Sequence, residues 1–242
     1  MTKAKLTAEG EYLLDDGSNY DKNAYEKPSV TVDICICKIE DNDLKVLLIK
    51  RKNPPYRNYW AIPGGFVDIE RKEDLKTAAL RELEEETGVT GVDVHQLATY
   101  GDPNRDPRMR IITVAYYAIV PSELINSQKI EAADDAKEYQ WASLRDLPRM
   151  AFDHKKILSD FDERLKGRIE YTTDGFKFLM SEFTWSELQN VYEIVLDRPL
   201  IAPNFRRKIK SMYKINKSNN RKELDKGRPA QLFTFGGSIN KF

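Results

Sequence analysis

Hydrophobic residues alternate with polar residues, or run together, in five short segments of the first 150 residues. These segments are VTVDICIC after Ser29, KVLLIKR, VDVHQLATYG, IITVAYYAIV and YQWASL. A period of two is typical of β-strands, because successive side chains point to opposite faces of a sheet. One helical segment lies between the second and third of these strands. The order of elements predicts a mixed sheet with packed helices.

The helical segment carries carboxylates on its inner face. A helix is predicted over Glu73–Thr87, and its apolar stripe consists of Leu75, Ala78, Ala79 and Leu83. Glu82 and Glu86 fall inside this stripe and Glu85 lies at its edge, whereas Glu84 points to water. Inward carboxylates are costly unless they are paired or bind a metal, and hard oxygen ligands suit Mg²⁺ or Mn²⁺. The segment therefore predicts a metal site, and the alternative is a solvated acidic helix.

The last 90 residues show a second compact pattern. A helix is predicted over Phe152–Arg168, with Ile157, Leu158, Phe161 and Leu165 on one face. Thr184-Trp-Ser-Glu187 is a capping box that opens a second helix, whose buried face consists of Leu188, Val191, Tyr192 and Val195. A third helix begins near Pro203 and turns Phe205, Ile209 and Met212 inward. Two strands, Tyr213–Asn216 and Gln231–Phe235, follow it and complete a winged helix-turn-helix pattern.

The winged helix-turn-helix pattern is strongly basic. Its third helix exposes Asn204, Arg206, Arg207, Lys208 and Lys210, and its wing exposes Lys214, Lys217, Arg221, Lys222, Lys226 and Arg228. Such density predicts binding to the phosphate backbone of double-stranded DNA. We assign Asn204 and Arg206 to reading bases, and Lys210 and Arg228 to phosphates. A solvated basic tail is the alternative, but it would not need the buried periodicity.

Composition sets the class of protein. The formal charge of zero hides an acidic first part and a basic last part, which suggests two modules with different partners. No signal peptide or membrane-spanning apolar run occurs, so a cytoplasmic location and no membrane partner are expected. Cys35 and Cys37 are expected on opposite faces of a strand, as neither a redox pair nor a zinc site. Residues 1–26 are expected to form a mobile arm or an added edge segment.

The acidic segment resembles the Nudix box, G-x5-E-x7-R-E-U-x-E-E-x-G-U, where U is apolar. The matching residues are Glu73, Arg81, Glu82, Leu83, Glu85, Glu86, Gly88 and Val89. The chain departs from the pattern in one place, since seven residues rather than five separate Gly65 from Glu73. The resemblance implies that Arg81, Glu82, Glu85 and Glu86 form the catalytic set. It also implies a metal site of Glu82, Glu85, Glu86 and the Gly64 carbonyl, with Arg81 orienting the helix through an ion pair with Glu73.

Further motifs extend the resemblance over nearly the whole chain. They are PGGFVD, NRDPR, AFDH, FT-x-x-EL, NFRRKI and KGRPAQLFTF, in the order typical of the Nudix-related transcriptional regulators. The resemblance implies an α+β protein: a Nudix α/β/α sandwich with a mixed sheet, followed by a C-terminal winged helix-turn-helix. The predicted divisions are an arm at 1–26, a Nudix domain at 27–150, a linker helix at 151–171 and a DNA-binding domain at 172–242. A homodimer and an ADP-ribose-like nucleotide partner are also implied.

Candidate ligand contacts follow from side-chain chemistry. Lys50, Arg51, Arg105 and Arg108 are predicted to bind substrate phosphates. Three aromatic residues could stack an adenine or belong to the core: Tyr59, Trp60 and Tyr100. Asp134 or Asp135 could supply a general base or lie in a solvated loop. The two histidines, His95 and His154, are interpreted as structural.

Three functions compete. The first is a ligand-responsive transcription factor that controls genes of NAD or sugar metabolism. The second is a form of that factor that also cleaves the diphosphate. The third is a magnesium-dependent hydrolase of the ADP-ribose pyrophosphatase type without a regulatory role. The basic helix favours the first two, and the complete set of acidic box residues favours retained chemistry.

Overall fold

The computed structural model describes residues 5–6, 12–13, 25–128, 136–223 and 227–239. Within these ranges, no helix combines the length and the apolar character needed to cross a membrane. Asp134 and Asp135, the two candidate general bases, lie outside the described residues, as does most of the arm at 1–26.

The strands and helices follow the predicted order with additions. The strands are β1 (Lys5–Leu6), β2 (Tyr12–Leu13), β3 (Ser29–Glu40), β4 (Asp43–Arg51), β5 (Trp60–Ala61), β6 (Gly64–Phe66), β7 (His95–Tyr100), β8 (Ile111–Ile119), β9 (Ala136–Ser143), β10 (Glu182–Phe183), β11 (Tyr213–Lys222) and β12 (Ala230–Ser238). The helices are α1 (Leu75–Thr87), α2 (Ser122–Asn126), α3 (His154–Ile169), α4 (Trp185–Leu196) and α5 (Ala202–Met212), with a 3₁₀ helix at Thr173–Phe178. The sequence pattern did not predict α2, β10 or the 3₁₀ helix, which are short.

The central sheet is mixed, as predicted. Its strands run in the order β5-β4-β3-β8-β7, with β6 on β3 and β9 on β4. Strands β3 and β8 are parallel, and the other pairs are antiparallel. Strand β3 is buried on both faces through its middle, so each face needs a covering layer.

Helices α1 and α3 supply these two layers. Val32, Ile34 and Ile36 pack with α1 in one core cluster, whereas Cys35 and Cys37 pack with α3 in the other. The α/β/α sandwich is therefore confirmed, and α3 is one of its layers. The expectation that the two cysteines lie on opposite faces is wrong, because residues two apart in a strand share a face. Both thiols are free and buried.

Helix α1 begins two residues later than predicted. Asp74 is its N-cap and accepts a 2.8 Å hydrogen bond from the Thr77 amide, which leaves Glu73 outside the helix. Gly88 ends the helix with a φ of 73°, a left-handed conformation that favours glycine. The predicted apolar stripe is present, with Ala78, Ala79 and Leu83 fully buried.

The winged helix forms around α4 and α5. The predicted capping box is present, because Thr184 accepts from the Glu187 amide and Glu187 accepts from the Thr184 amide. Helix α5 turns Phe205 and Ile209 inward, as predicted, and Met212 is partly buried. Strands β10, β12 and β11 form a three-stranded antiparallel sheet, and the two wing strands extend further than predicted.

The winged helix packs against the sandwich. Residues of α3, α4, α5 and the central sheet belong to one hydrophobic cluster. Polar contacts join the same parts: Arg145 pairs with Asp197 at 2.9 Å, and Lys177 contacts the His95 ring nitrogen at 2.7 Å. A change at one of these contacts can therefore reach the other domain through packed side chains.

Candidate functional site

A cavity of about 430 Å³ opens beside the acidic helix. Its walls come from β3, β4 and the 52–54 segment after it, β5, β6, α1, the 105–111 segment and the start of α3. Strand β6 approaches its neighbours closely: a Cβ on Gly65 would lie 2.4 Å from the Glu82 carboxyl group, and one on Gly64 would lie 2.2 Å from the Val32 carbonyl oxygen. Gly64 therefore allows β6 to pair closely with β3, and Gly65 leaves room for the Glu82 carboxyl group.

Two carboxylates of the acidic helix line the cavity. Glu86 accepts a 2.8 Å hydrogen bond from the Gly64 amide through Oε2. Burial, helped by the nearby charges of Glu82 and Asp33, raises the pKa of Glu86 to about 8 against the lowering effect of that hydrogen bond. Burial also raises the pKa of Glu82, although Arg81 acts in the opposite direction. Burial therefore disfavours the charged forms of both carboxylates in this wall.

Arg81 organises the outer side of the acidic helix. Its guanidinium pairs with Glu73 at 2.7 Å, with Glu82 at 2.7 Å and with Glu85 at 2.8 Å, and it donates to the Phe66 carbonyl oxygen at 3.2 Å. The pairing lowers the pKa of Glu73 to about 2. The ion pair expected between Glu73 and Arg81 is therefore present, and it ties the inserted loop to the helix.

The metal site predicted from Glu82, Glu85, Glu86 and the Gly64 carbonyl stays a prediction, and the three carboxylates have different partners in the structure. Arg81 pairs with Glu82 and Glu85, while Glu86 accepts a hydrogen bond from the Gly64 amide. Within the described ranges, no group of three acidic, histidine or cysteine side chains has the geometry of a metal site.

The donor set still fits a divalent cation. Glu82 and Glu86 line the same cavity and have raised pKa values, so a hard cation between them would stabilise their charged forms. Glu85 is about half exposed and is held by Arg71 and Arg81 at the rim. It could join Glu82 only by leaving one of these arginines.

Three of the four predicted phosphate-binding residues line the cavity: Arg51, Arg105 and Arg108. Lys50 lies outside its walls and pairs with Glu138 at 3.1 Å, because side chains alternate along β4 and Lys50 points away from the face of Ile49 and Arg51.

Arg105 and Arg108 are held by acidic partners. Arg105 is buried and pairs with Asp153 through two hydrogen bonds of 2.8 and 3.0 Å, with Asp33 at 3.5 Å. Arg108 pairs with Asp106 at 2.8 Å, and its guanidinium faces the ring of Phe66 at 5.6 Å. Arg108 is the more accessible of the two, so it is better placed to meet a ligand phosphate.

The cavity residues that the sequence interpretation did not assign to ligand binding include Asp33, Phe66, Phe152 and His154. Asp33 accepts a 2.7 Å hydrogen bond from the Thr113 hydroxyl and lies 3.5 Å from the His154 ring. The sequence did contain a signal for Asp33, because it is a charged residue within the alternating apolar pattern of β3. His154 accepts from the Ile62 amide at 3.1 Å, which agrees with its structural interpretation.

The candidate adenine-stacking residues lie elsewhere. Tyr59, Trp60 and Tyr100 are absent from the described walls of this cavity. Tyr59 packs on Tyr56, and Trp60 and Tyr100 belong to or pack on the main core cluster, so the core interpretation holds for them. Phe66 and Phe152 supply the aromatic faces of the cavity instead.

A second candidate surface is the exposed face of α5. Arg207 lies opposite the buried Phe205 and donates to the Asn204 side chain at 3.1 Å. Arg206 and Lys210 lie over the Trp185 ring at 5.8 and 5.6 Å, on one flank of the helix.

The other flank and the wing complete this surface. Lys208 pairs with Glu170 at 3.0 Å. In the wing, Arg228 is exposed, and Lys226 lies outside the described residues. The predicted DNA-binding residues of α5 and Arg228 are therefore exposed, and Lys208 is partly engaged by an acidic neighbour.

Both parts of the chain match models of known protein families. Residues 29–161 match the family model described as the NUDIX domain, and residues 175–235 match the NrtR DNA-binding winged helix domain. This chain belongs to the NrtR family of Nudix-related transcriptional regulators.

Two curated proteins show how far the likeness to the NrtR family extends. The chain is 35% identical over 220 residues to the ADPR responsive transcriptional repressor NtrR of Acinetobacter baylyi, covering 90% of this chain and 86% of that protein. It is 41% identical over 138 residues to an ADP-ribose pyrophosphatase of Methanocaldococcus jannaschii, covering 57% of this chain and 75% of that enzyme.

Two solved structures support the same assignment. NrtR of Shewanella oneidensis complexed with a 27mer DNA superposes with a TM-score of 0.71 at 29% identity, covering 87% of this chain and 99% of that one. The Nudix domain of the same protein complexed with ADP ribose superposes with a TM-score of 0.55 at 34% identity, covering 60% and 94%. The match to the NUDIX domain model ends at residue 161, inside α3, and the predicted domain boundary at 150 stays a prediction.

Proposed function

We propose that this chain is a DNA-binding transcriptional repressor of the NrtR family whose Nudix cavity binds ADP-ribose or a related nucleoside diphosphate derivative. The observation that carries this proposal is the presence, in one packed chain, of a cavity with acidic and arginine walls and a basic recognition helix. The ADPR responsive repressor and the two NrtR complexes support the same partners.

The cavity offers groups for both ends of such a ligand. A divalent cation, Mg²⁺ or Mn²⁺, held by Glu82 and Glu86 would neutralise part of the diphosphate charge. Arg51 and Arg108 can donate to phosphate oxygens, because guanidinium groups match their geometry. Phe66 at the rim is 43% exposed and offers a ring face to a base or ribose.

The basic helix α5 is proposed to enter the major groove of double-stranded DNA. We further propose that two copies bind a two-fold-symmetric operator as a homodimer, that the location is cytoplasmic and that the controlled genes belong to NAD or sugar metabolism. Lys210 and Arg228 are proposed for phosphates, with Asn204 and Arg206 at base edges.

Gel shifts with the gene's own upstream region test the regulatory function. The protein should shift this duplex, and ADP-ribose should release it while raising the melting temperature of the protein. A protein that shifts no duplex at low salt would contradict the regulator. A shift that ADP-ribose does not change, with no thermal effect of ADP-ribose, would contradict the effector.

A second candidate function is hydrolysis of the same ligand. The complete acidic box and the likeness to an ADP-ribose pyrophosphatase favour it. With Mg²⁺, the protein would then convert ADP-ribose to AMP and ribose 5-phosphate, and Glu86→Gln would slow the reaction by orders of magnitude. Chromatography of the products decides the question: thermal stabilisation by ADP-ribose without product would leave a sensor that does not hydrolyse its ligand.

A further inference from the structure

Helix α3 has polar contacts at both ends. At its start, Asp153 pairs with Arg105 of the cavity wall at 2.8 Å, and His154 accepts from the Ile62 amide at 3.1 Å. At its end, the C-cap residue Glu170 pairs with Lys208 of α5 at 3.0 Å. The helix thus contacts the ligand cavity at one end and the recognition helix at the other.

The middle of α3 is suited to carrying a displacement. Ile157, Phe161 and Leu165 are fully buried in the cluster that also holds α4 and α5. A helix packed in this way moves as a unit more easily than it bends, because its backbone hydrogen bonds and its core contacts resist local distortion. A shift at the cavity end is therefore transmitted to Glu170.

The contact between Glu170 and Lys208 is weak and exchangeable. The side chains are 42% and 50% exposed, and Glu170 also pairs with the exposed Arg198 at 3.4 Å. Exposed ion pairs contribute little, so a DNA phosphate can replace the carboxylate as the partner of Lys208. The ammonium group of Lys208 cannot pair fully with Glu170 and with a DNA phosphate at the same time.

We infer that Glu170 competes with DNA phosphates for Lys208, and that α3 links this competition to ligand in the Nudix cavity. The inference deepens the proposed regulatory function and rests on it. Glu170 acts as a positioning residue: it touches neither DNA nor effector, and it sets whether Lys208 is available to the phosphate backbone.

Glu170→Gln tests the inference against Glu163→Gln. Glu163 lies on the same helix and is exposed, and in the described part of the chain it has no ion pair. The two variants remove the same charge, but only the first releases Lys208. Binding to a fluorescein-labelled duplex of arbitrary sequence is measured by anisotropy across a salt series, because phosphate contacts do not depend on sequence.

Glu170→Gln should bind the duplex about two- to fivefold more tightly than Glu163→Gln at low salt. Its plot of log affinity against log salt should be steeper by roughly one unit, the value for one added phosphate contact. Adding Lys208→Gln to Glu170→Gln should remove both effects. Equal affinities and equal slopes for the two single variants would overturn the inference, and so would a double variant that keeps the gain.

The effector arm separates this inference from the proposed function. ADP-ribose should raise the melting temperature of Glu170→Gln as much as that of the unaltered protein. It should nevertheless release a smaller fraction of Glu170→Gln from the upstream duplex. If the unaltered protein binds DNA and responds to ADP-ribose while Glu170→Gln responds equally, the inference fails and the function stands. If the unaltered protein binds no duplex, both fail.

Discussion

Replacing Glu86 by glutamine should change how stability depends on pH. Glu86 lies among Glu82, Asp33 and the Gly64 amide, and burial is the main cause of its raised pKa, about 8 against an ordinary value of 4.5. The folded protein therefore holds a proton on Glu86 that the unfolded chain releases near pH 4.5. Between these two values the folded state binds more protons, so its stability falls as the pH rises.

The magnitude follows from the two pKa values. Each pH unit in this window costs about 1.4 kcal/mol, so the cost reaches about 3 kcal/mol at pH 7 and levels off above pH 8. Glutamine cannot ionise, and its carbonyl oxygen can still accept from the Gly64 amide. Its NH₂ group needs a partner, which offsets part of the gain by roughly 1–3 kcal/mol at every pH. The decisive quantity is therefore how the difference in free energy of unfolding between Glu86→Gln and the unaltered protein changes with pH.

Urea unfolding followed by tryptophan fluorescence at pH 5, 6, 7 and 8 measures this difference. The free energy of unfolding of Glu86→Gln should rise against that of the unaltered protein by about 3 kcal/mol from pH 5 to 7.5. Glu84→Gln, on the water-facing side of the same helix, is the control and should run parallel to the unaltered protein. Parallel curves for Glu86→Gln would refute the argument from burial. Mg²⁺ at pH 8 should stabilise the unaltered protein more than Glu86→Gln, because a cation favours the charged carboxylate.

Three other substitutions test other parts of the structure. Gly65→Ala places a methyl group 2.4 Å from the Glu82 carboxyl group, so it should displace the flexible end of that side chain and weaken ADP-ribose binding in calorimetry. An unchanged affinity would contradict the close approach. Arg105→Met leaves Asp153 without its guanidinium partner and should cost about 3–5 kcal/mol in urea unfolding, and a loss below 1 kcal/mol would show that this pair is not needed. Thr184→Ala removes the cap of α4 and should cost about 1 kcal/mol, with Thr184→Ser restoring most of it.

The sequence by itself determined the layers of the fold and the kind of chemistry. A period of two predicted the main strands, and a period of 3.6 placed Glu82 and Glu86 on the inner face of the acidic helix. The capping box at Thr184 predicted the start of α4 to the residue, because capping depends on side chains only three positions apart. These features are local, so neighbouring residues suffice to predict them.

The tertiary structure decided which distant residues meet. Asp33 and His154 are 121 positions apart and share the cavity, because β3 and the start of α3 pack together. The sequence predicted the pairing of Arg81 with Glu73, whereas only the structure shows that the same guanidinium also pairs with Glu82 and Glu85. The pairing of Glu170 with Lys208 likewise depends on how α3 packs against α5. Periodicity assigns each side chain to a face, but only the packing of those faces decides which charge meets which.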